Sequence, residues 1–494
     1  MIRINKQELR DKIYACWLGK NIGGTIGGPF EGDRRFLNVT GFTTDKGEPM
    51  PNDDLDLQLV WLLAVEEHGT RAITSQLLGE YWMRKITPEW NEYGICKANL
   101  ARGIMPPLSG ELFNEKWKHS NGAWIRSEIW ACLFPGIVDS AVALAIEDAM
   151  VDHGMGEGTY AEIFTAALES AAFVVKDVRK LIDIAFSKIP DNCRVAKAAK
   201  IAIDCYDNGV SLRDAREKVR LDTEDLGWFQ APANLGYVVL GLLYGEGDFK
   251  KSLLCAVNCG DDTDCTAATV GSVLGIMGGT AAIPSDWREY IGDKIVTVSI
   301  ALKRGRGDVP ATCTELTDRV MALVENSVNT ALRPFYGDGT YWPQPRAMEF
   351  TDGQTDYGNE HELWPMDSKQ YITDLCNRSP YSYEIDLVYA TARVEYTQAP
   401  FIKPFETKKA TVKFFTKTQQ TNSLNFRFLT PEGFTAKGSR GVTLCRLNTD
   451  TPRTPALELE VTAGEKLEYM NRVVVEVTAE NHAIVGYIPV CFIG

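Results

Sequence analysis

The chain has 494 residues, which is too long for one ordinary hydrophobic core and favours two or more folding units. Its net charge of −14 at pH 7 excludes the basic surface that proteins use to bind polymeric nucleic acid or anionic membranes. Twelve cysteines stand singly without a CxxC pair, and five histidines form no HExxH motif, so we expect reduced cysteines and no histidine-rich zinc site.

Residues 18–31 form a glycine-rich segment, LGKNIGGTIGGPFE, that ends in Glu31. Glycines at this spacing suit either close packing between helices or a loop that binds phosphate, and the spacing alone does not choose between the two. A carboxylate directly after such a segment is available for acid/base catalysis or for metal binding. We therefore take Glu31 as the candidate catalytic residue.

From residue 9 to about residue 331 the chain has a helical pattern, because apolar residues recur at three- and four-residue spacing between Gly, Pro and Asp breaks. The clearest predicted helices are residues 55–68, 140–152, 160–175 and 235–244. This pattern predicts an all-α domain, which we place at residues 1–345.

Two acidic clusters stand directly before apolar helical runs: PNDDLD at residues 51–56 and GDDTDCT at residues 260–266. One or two side chains of each cluster suit capping of a helix N-terminus. The remaining carboxylates would repel each other unless a cation lies between them, and hard cations such as Mg²⁺ and Mn²⁺ prefer several oxygen ligands. Two such helix starts brought together would hold one or two ions.

No membrane span and no secretory signal are expected. Residues 1–20 scatter charges among apolar residues and lack the apolar stretch of a signal peptide, so we expect a cytoplasmic protein. The long uncharged run at residues 265–285 consists mainly of Gly, Ala, Thr and Ser, which favours a tightly packed buried helix.

The pattern changes after the aromatic, Pro- and Gly-rich stretch at residues 334–345. Short alternating segments rich in β-formers follow, separated by Gly, Pro, Asn and Asp turns. They are residues 382–391, 410–416, 423–429, 457–461 and 473–478. These segments predict a separable β-sandwich-like domain at residues 346–494, and hence an α + β multidomain protein.

Several of these motifs occur in an order that resembles the ADP-ribosylglycohydrolase family. The motifs are the glycine-rich start ending in Pro-Phe-Glu31, the pair Asp53-Asp54, NGAWIR at residues 121–126 followed by FPG at 134–136, Asp152-His153, and Asp262-Thr263-Asp264. The resemblance covers the helical part and leaves the β-rich part outside it. It implies an all-α catalytic domain with a centre of two Mg²⁺ or Mn²⁺ ions.

By position, the resemblance implies that six residues ligate the metals, with Glu31 close to them: Asn52, Asp53, Asp54, Asp262, Asp264 and Cys265. The family usually has Thr where this chain has Asn52 and Cys265. An amide oxygen can replace a hydroxyl on a hard metal, whereas a thiol is a poor match to Mg²⁺.

The resemblance also implies substrate-binding residues. The loop His119, Ser120, Asn121 and Gly122 resembles the family segment that holds the substrate's phosphates or distal ribose, although SNG is also an ordinary turn sequence. His153 resembles a histidine that lines the family's substrate cleft, although a partly buried structural histidine is an equal alternative.

The expected activity is hydrolysis of an N- or O-glycosidic bond at the ribose C1 of a small-molecule or protein-linked ADP-ribosyl or related ribosyl substrate. Two alternatives stay open: a glycosidase acting on another glycoside or nucleoside-like compound, and a metal- or ligand-binding module without turnover. The sequence leaves the oligomeric state open.

Overall fold

The computed structural model describes residues 2–301, 309–329, 348–356, 378–417, 421–445, 454–480 and 482–494. Helices fill the earlier part of the described chain, and antiparallel sheets fill the later part. The fold is therefore an α + β multidomain structure, as the sequence predicts. The predicted boundary between residues 345 and 346 lies outside the described residues.

Sixteen helices occupy the described residues up to 329. They are α1 (Lys6–Gly27), α2 (Asp53–His68), α3 (Ser75–Lys85), α4 (Asn91–Ala101), α5 (Leu108–Glu111), α6 (Glu128–Leu133), α7 (Val138–His153), α8 (Glu157–Ala172), α9 (Val178–Phe186), α10 (Arg194–Asp207), α11 (Leu212–Asp222), α12 (Ala231–Gly245), α13 (Phe249–Asn258), α14 (Thr263–Gly278), α15 (Ser285–Ile291) and α16 (Cys313–Asn329). The four clearest helices of the sequence analysis correspond to α2, α7, α8 and α12.

The glycine-rich segment serves helix packing. Helix α1 lies along α14, and a Cβ atom on Gly23 would stand 2.3 Å from the backbone of Ala267. At the end of α1, the Thr263 hydroxyl donates a 2.8 Å hydrogen bond to the carbonyl of Gly27. Small residues let the two backbones touch, and this contact places the end of α1 beside the start of α14.

Eleven strands of the described residues lie in three sheets. They are β1 (Ile2–Asn5), β2 (Met348–Thr351), β3 (Ser382–Asp386), β4 (Ala390–Glu395), β5 (Thr407–Thr416), β6 (Asn422–Leu429), β7 (Thr435–Lys437), β8 (Gly441–Leu444), β9 (Ala456–Thr462), β10 (Met470–Ala479) and β11 (Val485–Ile493). The parallel pair β1–β2 joins the start of the chain to residues beyond the helices, while two antiparallel sheets have the orders β3-β4-β5-β9-β7 and β11-β10-β6-β8.

One apolar core joins the two antiparallel sheets. It contains Val412 from the five-stranded sheet and Val475 from the four-stranded sheet, and it also includes Ile104, Leu108 and Leu112 from the helical part. The sheets form a sandwich as the alternating pattern predicts. The helical part and the sandwich therefore share buried apolar contacts.

Two local features refine the sequence analysis. The predicted single strand at residues 382–391 is two strands, β3 and β4, joined by a tight turn in which Val388 has a φ of +70°. The stretch Thr263–Ala282 is long and apolar enough to cross a membrane, but its apolar window is 72% buried inside the protein, as in a core helix. All eleven described cysteines are free thiols.

Candidate active site

The acidic residues predicted from sequence lie at three helix ends. The contact between α1 and α14 brings two of these ends together, and the third is the start of α2. Glu31 follows the short helical turn Gly28–Phe30 at the end of α1. Asp53 and Asp54 lie in the first turn of α2. Asp262 immediately precedes α14, and Asp264 lies in its first turn.

Two overlapping groups of side chains have the spacing of metal ligands. In one, ligand atoms of Asp54, Asp264 and Cys265 lie within 4.8 Å of one another, and in the other the same holds for Glu31, Asp262 and Asp264. Asp264 belongs to both groups. The two groups are therefore adjacent and share one carboxylate.

The donor atoms suit hard divalent cations. Among the described residues, Asp54 Oδ2, Asp262 Oδ1 and Asp264 Oδ1 are buried without a hydrogen-bond partner. A buried carboxylate oxygen without a partner is costly, and a bound cation would remove that cost. Mg²⁺ and Mn²⁺ prefer such carboxylate oxygens. The acidic cluster thus fits a metal centre.

Asn52 and Cys265 lie at this cluster but already have other partners. Asn52 Oδ1 caps α2 by accepting a 2.7 Å hydrogen bond from the Asp54 amide, and its Nδ2 faces Asp264 Oδ2 at 3.5 Å. Burial and the surrounding Asp262, Asp54 and Asp264 carboxylates raise the pKa of the Cys265 thiol well above its usual range, and Sγ donates to Asp54 Oδ1 at 3.2 Å. In this arrangement a protonated Cys265 orients Asp54.

Mutual repulsion and burial shift the acid pKa values upward. Partial desolvation, followed by the Asp264 and Asp53 carboxylates, raises the pKa of Glu31 to about 7. Burial and Asp264 raise the pKa of Asp53 to about 6, although the Tyr93 hydroxyl donates to Asp53 at 3.1 Å. Glu31 is exposed, whereas Asp262 and Asp264, the other two residues of its ligand group, are buried. A carboxyl group that titrates near neutral pH and faces solvent can both give and take a proton.

The loop at residues 119–122 packs against Asp262 of the acidic cluster. Asn121 Nδ2 donates a 2.6 Å hydrogen bond to Asp262 Oδ2, and both side chains are buried. Ser120 Oγ lies 3.0 Å from Nε2 of His153. His119 Nδ1 accepts the backbone amide of Glu157 at the start of α8, at 3.1 Å. The loop is thus fastened at three successive residues.

The similarity to known proteins agrees with this geometry. The family model described as ADP-ribosylglycohydrolase matches residues 5–326, which is most of the chain. The chain belongs to the ADP-ribosylglycohydrolase family. The matched residues contain every acidic side chain of the site and all sixteen described helices except the last residues of α16.

Solved structures resemble the chain in parts. One described as an ADP-ribosylglycohydrolase-related protein complex is 20% identical, with 65% of this chain and 99% of that chain covered and a TM-score of 0.41. A FixG-related protein from Vibrio parahaemolyticus is 15% identical. The match covers 22% of this chain and 97% of that chain, with a TM-score of 0.18. The yeast GGA1_GAE domain is 10% identical. The match covers 23% of this chain and 99% of that chain, with a TM-score of 0.17. No curated protein gives a significant match.

His153, which the family resemblance implies as a cleft-lining residue, lies beside the loop at residues 119–122. Its side chain is fully buried, with Nε2 facing Ser120 and Nδ1 lying 3.0 Å from Asp152. In this conformation the ring has no surface with which to touch a substrate. The histidine supports the loop through its contact with Ser120.

Two buried basic side chains, Lys20 and Arg126, form ion pairs near the acidic cluster, and no local sequence pattern predicts these pairs. Lys20 donates to Glu128 at 2.7 Å; although burial disfavours its charge, Glu128 and Asp54 raise its pKa. Arg126 pairs with Asp148 and Asp152 and donates to the carbonyl of Gly122. Arg126 lies in the NGAWIR motif, which marked the family without giving this residue a role.

Proposed function

We propose that this member of the family is a divalent-cation-dependent glycohydrolase that cleaves an N- or O-glycosidic bond at the ribose C1 of an ADP-ribosyl or related ribosyl substrate. The observation that carries the proposal is the sharing of Asp264 between two groups of ligand atoms that contain three buried carboxylate oxygens without hydrogen-bond partners. Such a pair of positions suits one or two Mg²⁺ or Mn²⁺ ions.

Asp54, Asp262 and Asp264 would hold the ions, with Glu31 and Cys265 each belonging to one of the two ligand groups and Asn52 and Asp53 beside them. When bound, the ions supply the positive charge that can fix the vicinal ribose hydroxyls and activate water. The helix starts of α2 and α14 hold the aspartates on rigid elements, so little reorganisation accompanies substrate binding.

Glu31 is the proposed acid/base residue. Its exposed position beside the aspartates lets it reach a bound substrate. It would take a proton from the attacking water or give one to the departing group at C1, where the transition state has oxocarbenium character. Both transfers balance within one hydrolysis, and neither needs a redox cofactor.

The loop His119, Ser120, Asn121 and Gly122 is the proposed support for the polar distal part of the substrate. Its side chains point into the protein, toward Asp262, His153 and the start of α8. Contacts to phosphate or ribose would therefore come from the backbone, while His153 acts through Ser120 as a positioning residue.

The test is a substrate panel with metal-loaded protein. ADP-ribosylated Arg, ADP-ribosylated Ser, O-acetyl-ADP-ribose, several nucleosides and several glycosides are incubated with Mg²⁺ or Mn²⁺, and released sugar is measured. Release from an ADP-ribosyl compound that stops with chelator and with Asp262→Asn supports the proposal. Release only from other glycosides or nucleosides would transfer the activity to that class, and binding without release would leave a ligand-binding module.

A further inference from the structure

Asp261 directly precedes Asp262, yet it belongs to neither group of ligand atoms and its carboxylate accepts hydrogen bonds from three other residues. Oδ2 accepts a 3.0 Å hydrogen bond from Arg34 Nε, and Oδ1 accepts 2.8 Å and 3.1 Å hydrogen bonds from the Phe229 amide and from Asn234 Nδ2. The side chain of Asp261 is only 2% exposed. All three donors belong to other parts of the chain, so this carboxylate joins three segments.

The backbone of Asp261 makes two further bonds to the residues that follow Glu31. The Gly32 amide donates to the Asp261 carbonyl at 2.8 Å, and the Asp261 amide donates to the Asp33 carbonyl at 2.9 Å. Asp261 holds a φ of +71°, which is rarely adopted by a residue with a side chain. Several bonds are needed to maintain such a conformation, and these bonds are present.

Gly260 and Arg216 also connect the segment after Glu31 with the segment before Asp262. A Cβ atom on Gly260 would stand 2.3 Å from the carbonyl oxygen of Arg35, so only glycine allows this approach. Arg216, buried on α11, donates from Nε to the Cys259 carbonyl at 2.7 Å and from Nη2 to the Arg34 carbonyl. The segment after Glu31 is therefore bonded to the segment before Asp262 on both sides.

We propose that Asp261 is a positioning residue that sets the placement of Glu31 relative to Asp262. Glu31 and Asp262 belong to the same group of ligand atoms although 231 positions separate them in the chain. Gly32, which follows Glu31, donates its amide to the Asp261 carbonyl, and Asp261 directly precedes Asp262. This inference rests on the proposed function, because it assigns Asp261 to the same site. A misplacement of about 1 Å in a reacting group can cost about a hundredfold in rate.

The decisive variant is Asp261→Asn. An amide oxygen can still accept from Phe229 and Asn234, whereas the amide nitrogen cannot accept from Arg34, so the side-chain bond to the segment after Glu31 is lost while the backbone bonds of Asp261 remain. We expect kcat to fall about tenfold or more with KM changed less than about threefold, since substrate binding does not use Asp261. The Kd for Mn²⁺, measured by titration calorimetry, should stay the same because Asp262 and Asp264 are intact.

Hydrogen exchange supplies a readout that does not depend on activity. In Asp261→Asn the amides of residues 32–36 should exchange faster than in the unaltered protein, whereas the exchange rates of the α14 amides should not change. Arg34→Gln, which changes a partly exposed side chain and so should fold, should give the same kcat loss and the same exchange, and the double variant should be no worse than either. Arg35→Gln is the matched control, because Arg35 pairs with Asp33 in solvent and should change neither.

Each outcome decides the matter. Unchanged exchange and kcat in both Asp261→Asn and Arg34→Gln would overturn the positioning role, and so would a loss of Mn²⁺ affinity, since Asp261 would then act through the metal ligands. If the unaltered protein hydrolyses no ribosyl substrate, the proposed function fails, while exchange and Mn²⁺ affinity still test Asp261 separately.

Discussion

Asn121 and Asp262 are joined by a 2.6 Å hydrogen bond from Nδ2 to Oδ2, although 141 positions separate them in the chain. The bond occupies one oxygen of Asp262 and leaves Oδ1 buried without a partner among the described residues. Asn121 therefore fixes the direction in which Asp262 presents its remaining oxygen. The loop proposed to support the substrate and a proposed metal ligand are thus mechanically coupled.

Asn121→Ala tests this coupling. Loss of a buried hydrogen bond to a charged group should reduce the free energy of unfolding by about 2 kcal/mol, and a loosened Asp262 should reduce turnover about tenfold. Denaturant titration and steady-state kinetics measure the two effects. Asn99→Ala is the control, since Asn99 is equally buried and donates to the carbonyls of Ser109 and Leu112, away from the acidic cluster. Equal kinetic losses in both variants would show that the bond to Asp262 has no special role.

Divalent cations should stabilise the protein. A ligand that binds only the folded state adds about 2.7 kcal/mol when its concentration is 100 times its Kd, so Mg²⁺ or Mn²⁺ should raise the melting temperature. Asp262→Asn and Asp54→Asn should each remove most of that increase and most activity, and chelation should reproduce the effect reversibly. If calorimetry detects no cation binding and chelator changes neither melting nor hydrolysis, the acidic clusters are helix caps.

Asp56 should behave differently from its neighbours in the first acidic cluster. Its Oδ2 accepts hydrogen bonds from the amides of Val298 and Ser299, both at 2.6 Å, and from the Ser299 hydroxyl at 3.0 Å. Asp56→Ala leaves these donors without a partner and should reduce the free energy of unfolding by about 3 kcal/mol or more. The cation-induced rise in melting temperature should persist. Its disappearance would place Asp56 in the metal site.

The sequence predicts those parts of the site that rest on local patterns. Acidic residues before apolar runs predict the starts of α2 and α14, because a few neighbouring residues show both the helix cap and the carboxylates that capping does not use. The bond from Lys20 to Glu128 and the burial of His153 depend on contacts across 108 and 33 positions, which carry no local pattern. The spacing of the glycines does not choose between helix packing and phosphate binding, and the close approach of Gly23 to α14 is likewise a long-range contact.

The pKa of Glu31 predicts a pH dependence. Because its pKa is raised from 4.5 to about 7 in the folded protein, the folded state holds a proton that the unfolded state releases between these values. Its contribution to stability is complete below about pH 4.5 and is lost as the pH rises through 7. Cations replace that proton, so their stabilising effect should be larger at pH 7.5 than at pH 5.5, as melting curves at the two values will measure.

Glu31→Gln should separate this titration from cation binding. The amide cannot titrate, so the difference between the cation effects at the two pH values should shrink, while Mn²⁺ still binds through the aspartates. Turnover should fall by about a hundredfold or more, the usual scale for losing a general acid or base. Turnover equal to that of the unaltered protein would move the acid/base role to an aspartate.

The last prediction concerns the separability of the β sandwich. The change of pattern along the sequence predicts that the helical part stays soluble alone, but Ile104, Leu108 and Leu112 lie in the same buried cluster as the sandwich core. A chain ended after residue 329 would expose these side chains and would remove β2, the partner of β1. We expect it to aggregate or to melt at a lower temperature than the full chain, because exposed apolar patches promote association.

The substitution Leu112→Glu should act in opposite directions in the two chains. In the full chain it places a charge in a buried apolar cluster, where Leu112 is 3% exposed, and should reduce the free energy of unfolding by roughly 3 kcal/mol. In the shortened chain the same side chain faces water, so solubility should improve. Light scattering and melting curves of the four proteins measure both effects. A shortened chain that is monodisperse and as stable as the full one, with no benefit from Leu112→Glu, would show that the sandwich is separable and that its contact with α5 contributes little.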